Sequence, residues 1–155
     1  MSDLSLVGKK PESEEGKEFF LHCGDWWYEI LEVINGLPEA SFPVERYFYR
    51  DLMFSPPTPH LDALAALNLS KELAGFVESG AGLKALIHFY KNNASMVEYF
   101  DGDSEAEEDS AEERMRQIDD LVLFLKDCGG CHARWYTGDE DEKYFEDWSV
   151  PEGGG

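Results

Sequence analysis

The stretch SAEERMRQIDDLVLFLKDCGGCHARWY, residues 110–136, decides the fold class. Met115, Ile118, Leu121, Val122 and Leu125 recur at the three-and-four spacing of one helical face. Ser110 with Glu113 three residues on matches a capping box, so a helix is expected over 111–128. Gly129-Gly130 closes it. Beyond that turn, Cys131, Ala133 and Trp135 alternate with His132, Arg134 and Tyr136, which predicts a strand over 131–137 with one buried face. A helical period followed at once by a strand period points to an α+β fold.

The same signals recur towards the amino terminus. Phe19 to Cys23 predicts a strand near 18–23. Gly24-Asp25 opens a helix over 25–35, in which Trp27, Ile30, Leu31 and Ile34 form one apolar stripe. Gly36 and Pro38 stop it. Tyr47-Phe48-Tyr49 and Leu52-Met53-Phe54 fit one or two short strands, and the strand content of 42–57 stays open. Thr58-Pro59 places an N-cap and a first-turn proline before a helix over 59–67. Ser70 caps another over 71–79 carrying Leu73, Phe76 and Val77, ended by Gly80 and Gly82. Leu86, Ile87 and Tyr90 mark a further helix over 83–92. The expected architecture is a small sheet, including strands near 18–23 and 131–137, packed against about five helices.

The length of 155 residues suits one domain with a core of its own. Residues 1–16 are polar and are expected as a flexible acidic arm. Residues 17–150 form the domain, with an acidic loop at 101–110, and 151–155 form a flexible tail. Met1 to Pro11 lacks the apolar run of a signal peptide, and no stretch has the 18 apolar residues of a membrane span. Three cysteines without a framework spacing read as free thiols, which implies a cytoplasmic, reducing location.

Charge excludes more than it assigns. Thirteen Lys and Arg stand against 33 Asp and Glu, for a net charge of −20. Nucleic-acid backbones and anionic membrane surfaces repel such a chain, so neither is an expected partner. A basic protein partner, a cation or plain solubility remains. The charge is local: residues 101–113 contribute −8 and residues 139–147 contribute −5.

Several motifs invite sharper readings. Cys128-Gly129-Gly130-Cys131-His132 has the spacing of c-type haem attachment, but that chemistry needs export to an oxidising compartment. The pair also suits zinc, with Cys23, Cys128 and Cys131 as the workable set of soft ligands. A redox role is disfavoured because the pair follows a helix instead of opening one, where the dipole would stabilise a thiolate. Asp101, Asp103, Glu105, Glu107, Asp109 and Glu112 fall on the ligand positions of a calcium loop, yet Ala106 stands where its sharp turn needs glycine. His22, His60, His88 and His132 are scattered and fall into no nucleophile motif, so an enzyme reading has no signature. A DNA-mimic inhibitor would need carboxylates spread over rigid helices, whereas an acidic loop concentrates them.

At Asp25-Trp26-Trp27-Tyr28-Glu29-Ile30-Leu31-Glu32 and again over Leu121 to Trp135 the chain resembles a loose group of small uncharacterised bacterial α+β proteins. In these an aromatic-rich helix follows a first strand and a Gly-Gly helix end leads into a closing strand. The resemblance implies a compact α+β domain and no particular activity. The reading that best joins charge and aromatics is a non-enzymatic interaction domain, of the antitoxin or immunity type, that blocks a basic partner. Its contact residues are then Asp101, Asp103, Glu105, Glu107, Glu108, Asp109, Asp139, Glu140, Asp141 and Glu142, with Tyr144 and Trp148 and also Tyr47 and Tyr49 as aromatic contacts.

Overall fold

The sheet starts earlier in the chain than the sequence suggested. A computed structural model describes residues 3–37 and 60–136. In it the segment expected as a loose arm supplies β1, Asp3–Gly8, which lies inside the sheet. The reason is a short apolar alternation: Leu4 and Leu6 are fully buried on the core face. Ser5, pointing the other way, donates its hydroxyl to Glu18.

The antiparallel sheet has the order β2-β1-β4-β3. Strand β2 is Glu18–Leu21 and β4 is Cys131–Tyr136, both as expected to within two residues. Strand β3 is a two-residue edge, His60–Leu61. Register is set by Leu4 opposite Leu21 on one side and opposite Trp135 on the other. Phe19 and Leu21 bury the same face as Leu4 and Leu6.

Helices cover that face. Helix α1, Gly24–Asn35, buries Trp27, Ile30, Leu31 and Ile34, the stripe expected. Helix α2 runs unbroken over Ala63–Glu78, where two helices were expected. Asp62, not Thr58, caps it through a bond from the Ala65 amide. Ser70, expected as a cap, is buried in mid-helix and donates to the Val122 carbonyl at 2.9 Å. A serine that bonds outward to a neighbouring helix has no need to end its own. Helix α3 is Ala81–Asn92, and α4, Ala94–Phe100, is an additional short helix capped by Asn93.

Helix α5 corrects the largest expectation. It spans Ser104–Asp127, so most of the expected acidic loop is helical. Asp103 is the N-cap, accepting from the Ala106 amide at 3.0 Å, and the Ser110–Glu113 box lies inside the helix. Glu105 and Glu107 in the first turn face the positive end of the helix dipole, which offsets their mutual repulsion there. A calcium loop is incompatible with this geometry, because ten of its twelve positions would be capping or helical residues.

The far end of α5 is closed by the amino-terminal segment. The amides of Lys10 and Glu12 donate to the carbonyls of Cys128 and Asp127, and Ser13 donates to the Asp127 carboxylate. These bonds satisfy carbonyls that a helix end leaves without partners. Gly129 has φ +67°, and a Cβ there would stand 2.4 Å from the Lys10 carbonyl oxygen. Only glycine fits that turn. The 42–57 strands, the 137–155 tail and the start of the 59–67 helix lie outside the described residues.

Candidate functional site

Two features of the α4–α5 corner stand out. The first is charge on a rigid scaffold. Glu105, Glu108, Asp109 and Glu112 are exposed and fall at i, i+3, i+4 and i+7 of α5, so they share one face. None of the four forms an ion pair among the described residues. Glu107 points elsewhere and pairs with Lys91 at 3.1 Å. Asp101 holds a left-handed backbone, φ 47°, at the α4–α5 turn, and Asp103 is committed to its cap. Between Glu98 and Glu113 the chain carries nine Asp and Glu and no Lys or Arg.

The second feature is apolar exposure on α4. In α4 only Phe100 is buried, against Tyr90 at 5.0 Å between ring centres. Val97 and Tyr99 are 51% and 75% exposed, among the largest exposures of any large apolar side chain described. Exposed aromatic and aliphatic groups on α4 and a carboxylate stripe on α5 give the corner both apolar and acidic surface.

A cleft of about 330 Å³ opens between α1, α4 and α5. Trp26, Met96, Tyr99 and Phe100 supply its apolar walls. Glu29 and Arg114 line it too, and Asp25 and Cys23 come from the start of α1. Arg114 stacks over the Trp26 ring, 4.4 Å from its centre, and its Nε donates to Glu29 Oε1 at 3.2 Å. Its Nη1 donates to Gln117, and the Tyr90 hydroxyl donates to the same Glu29 oxygen.

The ion pair is largely dry, with side chains 7% and 13% exposed. Burial pushes the Glu29 carboxyl above its ordinary range, although Tyr90 and Arg114 both pull it down; Asp25 adds to the rise. Burial and the neighbouring Glu29 carboxylate push the Tyr90 phenol upward. The arrangement holds a guanidinium between an indole face and a carboxylate. Among the described residues that line the cleft there is no histidine.

The cysteines divide. Cys128 and Cys131 are buried beside each other around the Gly-Gly turn. The bond from Cys131 to the Cys128 sulfur, together with full burial, holds the Cys131 thiol well above its ordinary range; Cys128 is lowered by accepting that bond. Cys23 lies in the cleft beside Ser110 and Arg114. Fourteen helical residues from Arg114 to Cys128 rise about 21 Å, so the three sulfurs expected to share a zinc do not converge. Among the described residues no three His, Cys, Asp or Glu side chains gather as a metal site.

No protein-family model, curated protein or solved structure matches this chain. Function is therefore argued from the corner itself. Of the expected contact residues, the structure assembles Glu105, Glu108 and Asp109 on one face with Glu112. Asp139, Glu140, Asp141, Glu142, Tyr144, Trp148, Tyr47 and Tyr49 lie outside the described residues. Among the described residues no helix is long and apolar enough to cross a membrane.

Sequence reasoning missed Glu29, Arg114 and Tyr99. Glu29 and Arg114 are 85 positions apart, and no local pattern joins them. One signal was available: Arg114 lies at i−4 from Ile118 and i−7 from Leu121, on the apolar stripe of α5. An arginine on a buried stripe requires a partner.

Proposed function

We propose that this chain is a non-enzymatic protein-interaction domain that binds a basic partner through the α4–α5 corner, as an antitoxin or immunity-type inhibitor does. The observation that carries this reading is the single-faced stripe Glu105, Glu108, Asp109, Glu112 on α5, together with exposed Val97 and Tyr99 on the preceding helix. Like charges at i, i+4 weaken a helix by about 0.2–0.5 kcal/mol per pair, so the stripe costs the fold stability. Placed on a surface it steers a positively charged partner and accelerates encounter. Tyr99 then supplies contact energy of the kind that aromatic anchors give at interfaces.

The test is titration with a short Lys- and Arg-rich peptide at low and high ionic strength. Binding that weakens about tenfold or more with salt, and that Glu108→Gln with Asp109→Asn reduces further, supports the reading. Salt-independent binding, or none, contradicts it.

A DNA-mimic inhibitor is the second reading. It is favoured by the finding that the carboxylates ride on a helix and not on a loop. The two readings separate in competition against a basic DNA-binding protein: a mimic displaces duplex DNA from it, whereas a binder of other basic surfaces leaves the DNA bound.

A further inference from the structure

We propose that the cleft between α1, α4 and α5 is a socket for one arginine side chain of the protein partner. This rests on the reading of the corner as a binding surface for a basic protein. The cleft meets the exposed part of the corner at α4: Met96, Tyr99 and Phe100 line it, and Tyr99 is 75% exposed.

The walls select the guest. Trp26, Tyr99 and Phe100 offer ring faces and edges, with Tyr99 and Phe100 set edge-on at 5.1 Å between centres. Such rings attract a cation, most strongly a flat guanidinium that can lie along them. Asp25 is exposed at the start of α1, lines the cleft and forms no ion pair among the described residues. It is the carboxylate left over once Glu29 is engaged by Arg114. Arg114 shows that these walls already accommodate a guanidinium, stacked on Trp26 at 4.4 Å. Two of its donors go to Glu29 and Gln117, one face lies on Trp26, and the surrounding charge repels anions.

Other occupants fit less well. A second copy of this chain carries the same net charge of −20 and is repelled. A free small cation gains the ring contacts, Tyr99 included, but forgoes the exposed Val97 and the carboxylates of α5. A protein side chain brings with it a backbone and neighbouring basic groups that can reach both.

The test uses the full chain with isotope-labelled backbone amides, methionine methyls and tryptophan indoles. The probe is the peptide Gly-Gly-Arg-Gly-Gly, compared with its citrulline counterpart, which keeps the shape and loses the charge. Saturable shifts of the Met96 methyl and Trp26 indole signals are expected with arginine, and binding about tenfold weaker with citrulline. Asp25→Asn and Tyr99→Ala should each weaken arginine binding several-fold; both positions are exposed, so the fold tolerates them. If basic peptides move only signals of the carboxylate stripe, the socket is overturned while the basic-partner reading stands. If no basic probe moves any signal, both fall. Methylguanidinium binding as tightly as the peptide would make the cleft a small-cation site and overturn the proposal. Cleft signals that change on dilution of the free protein would assign the occupant to a second copy and overturn it as well.

Discussion

Replacing Arg114 by methionine removes the guanidinium while keeping a side chain of similar length. Three interactions disappear: the 3.2 Å bond to Glu29, the bond to Gln117 and the stack on Trp26. Removing one member of a buried ion pair costs about 3–5 kcal/mol, because the other charge stays buried without compensation. The lost stack adds about 1 kcal/mol. Two effects work the other way. The Tyr90 hydroxyl still bonds Glu29, and the Glu29 carboxyl can take up a proton, its pKa already raised by burial and free to rise further. The net expectation is a loss of about 3 kcal/mol at neutral pH, a large share of the stability of a domain this size. The assay is urea unfolding at a series of pH values. A carboxyl whose folded pKa is raised gives stability that is complete below its unfolded pKa and fades as pH rises through the folded one. The deficit of the variant therefore shrinks as pH falls, by up to about 1.4 kcal/mol per unit, between the Glu29 pKa of the parent and the higher one of the variant. The double variant with Glu29→Gln should recover part of the loss, since no charge then stays buried. A deficit below about 1 kcal/mol, or one that does not change with pH, would refute the reasoning.

Further predictions concern the scaffold and the stripe. Glu29→Gln in the parent should destabilise by leaving Arg114 without its carboxylate, and the gap should narrow as pH rises out of the acid range through the raised Glu29 pKa and stay level above it, when followed by thermal melts across pH. Gly129→Ala forces a side chain onto the Lys10 carbonyl at a positive φ and should cost more than about 2 kcal/mol in urea unfolding. Glu108→Gln with Asp109→Asn removes five like-charge pairs on α5, with Glu105, Glu112 and Glu113, and should raise stability by about 1 kcal/mol, read by melting temperature, while weakening binding of basic peptides. Leu6→Ala should lose about 2–5 kcal/mol in the same unfolding assay, because β1 is an inner strand and not a loose arm.

Elements with strong periodicity were legible in the sequence. The stripe from Trp27 to Ile34 and the run from Met115 to Leu125 announce α1 and the second half of α5, and the alternation after Gly130 announces β4. Strand β1 was not legible because its alternation is four residues long, Leu4 to Val7, and its neighbours are polar. The first half of α5 was obscured by its charge: eight carboxylates between 101 and 113 suggest a solvated loop, but the Asp103 cap and the helix dipole hold the segment helical. Ser70 and Ser110 gave false caps, since a serine inside a helix has the same signature as one that begins it. The cleft was the least legible feature, because Glu29, Tyr90 and Arg114 meet only through the packing of α1, α3 and α5. Tyr99 drew no notice because α4 is only seven residues long and carries no clear stripe.

The claim that the α4–α5 corner is a binding surface for a basic protein is tested most directly by amide shift mapping. The labelled chain is titrated with a Lys- and Arg-rich peptide at two salt concentrations. The account predicts that the largest shifts cluster between Ala94 and Glu112 and shrink at high salt. Shifts spread evenly over every exposed carboxylate, or concentrated on the far end of α5 near Cys128, would contradict it.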